Sequence, residues 1–185
     1  MQKVVNFREM NEGTAEDFTY LEELEDGFNT GLPDRLLETV RALQHSFSGY
    51  RISRYEHSLQ SATRAYRNGE DEDMIVGGLL HDIGDELAPH THGEMVAAIV
   101  KPFLSKKVTW IIKMHPVFQQ HYMSHLSEDD RNARDHFKDH PYYDDCVKFC
   151  RDYDQNCFDP DYEYLPIEFF EPMVRRVFSR EPQFD

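Results

Sequence analysis

The uncharged run Met74-Ile75-Val76-Gly77-Gly78-Leu79-Leu80 leads directly into His81-Asp82. A stretch that apolar belongs in an interior, and it draws an imidazole and a carboxylate inward behind it. Burying such a pair without partners is costly, so the two are hydrogen-bonded or they ligate a cation. Asp82 has two oxygens and could share one metal with His81 while bridging to a second. An isolated His-Asp at a helix end is usually only solvated, so the rest of the chain has to decide.

The chain reads as helices throughout, with no strand pattern and no repeat, so the expected class is all-α. The first clear helix follows Pro33-Asp34, with Leu36, Val40, Leu43 and Phe47 on one stripe. A second runs from about Ile52 to Arg67, carries His57 near the edge of its Leu59, Ala62 and Tyr66 stripe, and closes at Asn68-Gly69. The third, Glu72 to Leu80, delivers His81-Asp82. Thr91 or His92 opens the fourth, with Met95, Val96, Ile99, Val100 and Phe103 inward and Pro102 near its end. Ser105 caps the fifth, whose stripe of Val108, Ile111 and Ile112 continues to His115 before Pro116 ends it. Ser127 opens a polar sixth helix that His140-Pro141 breaks. The seventh, Tyr142 to about Asn156, places Asp154 on the stripe of Val147 and Cys150. A carboxylate on an apolar stripe calls for a metal or an arginine. The eighth carries Ile167, Phe170, Val174 and Val177. Residues 1–30 are acidic and read as an irregular arm, with Phe18, Tyr20, Leu21, Leu24 and Phe28 as anchors on the domain or on a partner. Residues 31–185 read as one domain.

Composition narrows the partners. Thirty-nine per cent hydrophobic and 13% aromatic residues describe a folded chain, and 35 acidic against 20 basic residues leave a formal charge of −15. That field opposes nucleic acid and anionic membranes. A small anionic substrate remains compatible where metals or local cations offset it. No run of ~18 apolar residues suggests a membrane span, and the N-terminus lacks a basic-then-apolar signal pattern. Cys146, Cys150 and Cys157 read as reduced, partly buried thiols, which fits the cytoplasm.

His57, His81, Asp82, His92, His115 and Asp154 come from five separate segments. Helical bundles assemble metal sites in this way, each facing helix giving one or two ligands. Taken alone, His57 would be an ordinary core histidine. Together, four imidazoles and two carboxylates suit Fe, Mn or Zn and suit Mg poorly. With Asp82 bridging, the six divide over two metals, each keeping an open position.

The order His…His-Asp…His…His…Asp, the twenty-four positions from His57 to His81 and the Leu-Leu-His-Asp-Ile-Gly core resemble the HD-domain superfamily, over about Ile52 to Tyr162. The resemblance implies a helical bundle around a dinuclear centre. One iron would have His57, His81, Asp82 and Asp154; the other would have Asp82, His92 and His115. Tyr55-Glu56-His57-Ser58-Leu59-Gln60, with Arg151 three residues before Asp154, is similar to the mixed-valent di-iron oxygenases that cleave 1-hydroxyalkylphosphonates. The tail from Asp154 to Tyr162 looks like the branch whose substrate bears a trimethylammonio group. That family implies two Fe ions in the Fe(II)/Fe(III) state, O2 as co-substrate, and release of phosphate and a carboxylate, here glycine betaine.

Substrate contacts also follow from the resemblance. Arg151 would clamp the phosphonate, the alternative being an ion pair with Asp152 or Asp154. Gln119 stands where relatives acting on a free amine carry Lys, and Phe47-Ser48-Gly49-Tyr50 stands where they carry Tyr-x-x-Glu, which leaves Tyr50 for gating. Asp85 joins this set. Aromatic faces from Tyr50, Phe118, Tyr122 and Tyr153 are candidates to hold the cation. The alternative reading is a metal-dependent HD phosphohydrolase acting on a phosphate ester or nucleotide.

Overall fold

The computed structural model describes residues 3–184, and among them there is no strand. Helix α1 spans Ala15–Asn29, α2 Leu32–Ala42, α3 Arg54–Arg67, α4 Glu72–Leu80, α5 His92–Val100 and α6 Lys106–Gln119. Then come α7 at Glu128–Arg131, α8 at Tyr143–Phe149 and α9 at Ile167–Phe178.

The apolar run forms α4, and all seven of its residues from Met74 to Leu80 are buried. Asp71 starts it by accepting the Met74 N–H at 2.9 Å. Around α4 pack α2, α3, α6 and α9. Gly77 is what lets α6 approach, since a Cβ there would lie 2.6 Å from Val108 Cγ1. A capping box starts α3: Ser53 Oγ accepts the Glu56 N–H, and Glu56 accepts the Ser53 N–H at 2.7 Å. Buried Ile167, Phe170, Val174 and Val177 carry α9 against the same core.

Helices α5 and α6 form an intimate pair. At Gly93 a Cβ would sit 2.8 Å from the Lys113 carbonyl and 2.9 Å from that of Ile112. Helix α6 does not stop at Pro116 as expected but continues to Gln119. Proline lacks only its own N–H bond to the residue four back, and packing on both sides holds the helix together. The group left without that bond is the Ile112 carbonyl.

Other expectations needed correcting. The stripe of α2 does not reach Phe47, which is 61% exposed, because the helix ends at Ala42 and tightens into a 3-10 turn at Leu43–His45. The polar sixth helix is only the four residues of α7, followed by a 3-10 turn at Ala133–Phe137. The seventh is not uniform either. It widens into a π-helical turn at Cys150–Asp154, where Gln155 donates to the Cys150 carbonyl five residues back. Cys150, Tyr153 and Asp154 all lie on the buried side of that turn. The arm is not irregular, because Thr14 and Asp17 cap each other to start α1. Of its expected anchors, Phe18, Tyr20 and Leu21 are half-buried, while Leu24 and Phe28 are exposed. All three cysteines are free and buried. No described helix is long and apolar enough to cross a membrane.

Candidate metal centre

Five chain segments deliver the six side chains to one place. His57 comes from the first turns of α3, His81 and Asp82 from the end of α4, His92 from the start of α5, His115 from α6 and Asp154 from the π-turn. All are buried except His92, which is partly open. The two oxygens of Asp82 face different imidazole pairs. Oδ2 lies 3.2 Å from both His57 Nε2 and His81 Nε2. Oδ1 lies 3.3 Å from His115 Nε2 and 3.6 Å from His92 Nε2. Asp154 Oδ1 completes the first group, 3.5 Å from His57 and 3.9 Å from His81.

The hydrogen bonds on the far side of each ring say which nitrogen carries the proton. His81 Nδ1 meets the Gly78 carbonyl at 2.7 Å, His115 Nδ1 the Ile112 carbonyl at 2.6 Å, and His57 Nδ1 the Cys157 carbonyl at 3.0 Å. A carbonyl only accepts, so each Nδ1 donates and each Nε2 of the neutral ring presents a lone pair. The sequence prepares two of these acceptors. Gly78 is within the last turn of α4, where carbonyls have no helical partner, and Ile112 is the carbonyl that Pro116 cannot reach. Lone pairs therefore converge where His57 Nε2 is 3.1 Å from His81 Nε2, and the lone pair of His115 Nε2 meets His92 Nε2 at 3.2 Å. Only a proton or a metal cation between them reconciles such contacts. Metal–nitrogen bonds of about 2.0–2.1 Å at octahedral or tetrahedral angles put neighbouring donor atoms about 2.8–3.4 Å apart, which includes the 3.1 and 3.2 Å seen here. Asp154 Oδ2 is buried with no partner, a further free donor atom at the centre. The residues thus fit two cations sharing Asp82.

The electrostatics agree. Burial works against charge on His81, but Asp82 and Asp154 outweigh it and push the imidazole up to about 9, a site hungry for a positive charge. Burial also opposes the Asp82 carboxylate, yet Arg54, His81 and the imidazole hydrogen bonds hold it well below the usual carboxylate range. His92 is lowered, by burial and by the neighbouring His115. Arg54 donates through Nη2 to Asp82 Oδ2 and to Asp85 Oδ2, each at 2.6 Å. Asp85 Oδ1 lies 3.4 Å from His92 Nδ1. Sequence reasoning missed Arg54. Its signal was the spacing of three from His57, which puts both on one helical face.

A cavity of about 280 Å³ opens over the centre, lined by Asp82, His92, His115 and Asp154 at its floor and by Phe47, Tyr50, Met123 and Phe158 above. Tyr50 stacks on Phe158 at 4.6 Å, and Phe158 stacks on His57 at 4.4 Å. Gln119 reaches the cavity and donates Nε2 to Asp154 Oδ1 at 2.8 Å, while its Oε1 is buried without a partner. Asp85 and Arg54 form one wall. Arg151 does not reach the cavity: it sits on the exposed side of the turn that buries Asp154 and pairs with Asp152 at 2.7 and 2.8 Å. Of the four aromatic candidates only Tyr50 lines the cavity; Phe118 and Tyr153 are core residues, and Tyr122 lies outside it.

Residues 54–144 match the HD domain family. Over those residues the all-helical bundle has the HD-domain fold, and it carries buried His/Asp groups that could hold a metal ion. More particularly, it is similar to the 1-hydroxy-2-(trimethylamino)ethylphosphonate dioxygenase (glycine-betaine-forming) of Leisingera caerulea, 31% identical over 100 residues. That match covers 44% of this chain and 51% of the relative, about half its length.

Proposed function

We propose that this chain is an iron- and O2-dependent enzyme that cleaves the carbon–phosphorus bond of a 1-hydroxyalkylphosphonate. The substrate we favour is (R)-1-hydroxy-2-(trimethylammonio)ethylphosphonate, with phosphate and glycine betaine as products. The observation that carries the reading is the division of the two Asp82 oxygens between two imidazole pairs beneath a small cavity. The similarity to the Leisingera caerulea enzyme supports the choice of substrate.

In this reading His57, His81 and Asp154 hold one iron, His92 and His115 the other, and Asp82 both. The paired irons supply the redox chemistry with O2. The chain's own residues supply position and exclusion of water. The anionic end of the substrate lies toward the centre, where Arg54 adds a fixed positive charge. The quaternary ammonium lies under the Tyr50, Phe158 and Phe47 rings, whose faces attract a cation that cannot donate a hydrogen bond. Gln119, through its unpartnered Oε1, accepts from the substrate hydroxyl. Both atoms of O2 end in products: one completes the carboxylate and the other completes phosphate.

The test is anaerobic purification with iron analysis and EPR, then addition of O2 and the favoured phosphonate. We expect two irons per chain, a mixed-valent signal, and phosphate with glycine betaine only when O2 and substrate are both present. Hydrolysis of a phosphate ester with Mn²⁺ in the absence of O2, with no turnover of the phosphonate, would overturn the proposal in favour of an HD phosphohydrolase.

A further inference from the structure

Helix α1 is 15 residues long, and none of them is buried. Glu22, Glu23, Glu25 and Asp26 surround Leu24, which is 39% exposed, and Phe28 beyond them is 64% exposed. The helix contains no Lys or Arg. Helices of this length are marginal in water even with good sequences, and like charges four apart, such as Glu22 and Asp26, weaken them further. A capped acidic helix with uncovered apolar residues is built to lie on something.

The same chain carries the complementary surface. A groove of about 310 Å³ at the start of α6 is lined by Lys101, Lys106 and Lys113, with Leu104, Thr109 and Trp110 between them. It gathers three lysines on a molecule whose net charge is −15, with Lys113 also 3.7 Å from Glu94. Its apolar floor suits Leu24, and its lysines suit the carboxylates beside that residue. Thr109 Oγ1 is buried there without a hydrogen-bond partner. Helix α1 is fastened to the start of its own α2: Arg35 donates to the Phe28 carbonyl at 2.8 Å and stacks over the Phe28 ring at 3.9 Å. Among the described residues no other helix packs closely against α1.

We infer that α1 docks in the lysine-lined groove of a second copy of this chain, and that the exchange is reciprocal. Two copies trading arms form a closed two-fold dimer with two identical contacts. The contact is part apolar and part electrostatic, so it weakens with salt. Pairing of two α1 helices with each other is disfavoured, because both are acidic.

The experiment uses the full chain in size-exclusion chromatography with light scattering, from about 1 to about 200 µM. We expect the mass to rise from 21.9 kDa to twice that value with concentration, and the dimer to dissociate in high salt. Glu22→Lys with Glu25→Lys should weaken it at least tenfold, as should Lys106→Glu with Lys113→Glu. All four changes together should restore it. Far-UV circular dichroism checks that each variant is folded, and these residues lie outside the proposed metal centre. In addition, Leu24→Cys with Lys113→Cys should give a disulfide between chains on oxidation. A monomer at every concentration, a dimer indifferent to both charge reversals, or a disulfide formed within one chain would each overturn the inference.

Discussion

Gly93→Ala tests whether the centre is two half-sites that share only Asp82. The new Cβ would lie 2.8 and 2.9 Å from two α6 carbonyls and 3.0 Å from Pro116 Cδ. The carbonyls belong to backbone and cannot rotate away, so α5 must retreat from α6 by about 0.5 Å to recover ordinary contact. Overpacking of this kind costs about 1–3 kcal/mol, and for a domain of this size each kcal/mol lowers Tm by about 2–4 °C. His92 is the neighbouring residue and moves with α5. Its Nε2 now sits 3.2 Å from that of His115, whereas metal–ligand distances tolerate only about 0.2 Å of error. The His57–His81 pair is on other helices and does not move. We therefore expect the variant to bind one metal per chain in place of two, with a lowered Tm, by elemental analysis and calorimetry. Two metals at full occupancy with an unchanged Tm would refute the geometry. Loss of both metals from a folded protein would refute the independence of the halves.

Arg54→Met leaves Asp82 and Asp85 without their buried counter-charge; urea unfolding of the metal-free protein should show a loss of about 3–5 kcal/mol. In metal-free protein His81 has its folded value raised from 6.5 to about 9. The stabilisation it gives is therefore complete below pH 6.5 and is lost as pH rises through 9, an effect on the order of 3 kcal/mol. Thermal melts after chelation should show this fall, and metal-loaded protein should lack it because the cation replaces the proton. Ser53→Ala removes one half of the α3 capping box and should cost about 1 kcal/mol, with metal content retained; a cost near zero would mean that α3 is fixed by tertiary packing alone.

Much of this was legible from the chain. The charge-free run from Met74 to Leu80 had to be interior, and it is the helix the bundle surrounds. The His/Asp set could be gathered because most of its members sit at a helix end or on an inward stripe. What escaped were local hydrogen-bond choices. Thr14 and Asp17 satisfy each other and turn an acidic segment into a helix, whereas apolar periodicity, the signal followed there, is weak in a helix that buries nothing. The π-turn at Cys150–Asp154 adds a residue without any compositional mark. The resemblance implies Arg151 as the phosphonate clamp, but the neighbouring Asp152 offers its guanidinium a bidentate pair at the surface, the alternative the sequence also allowed. Arg54 instead lines the cavity, because it shares a face with His57 and meets Asp82 and Asp85 there.

Pro116 has a consequence beyond the helix stop it fails to impose. By withholding one amide hydrogen it leaves a seat on the Ile112 oxygen, and the His115 ring takes that seat. Any other residue at 116 brings a rival for it, so the aim of an imidazole is set one position along the chain by an atom that proline does not possess. A backbone vacancy thus acts as a rotational lock on a side chain.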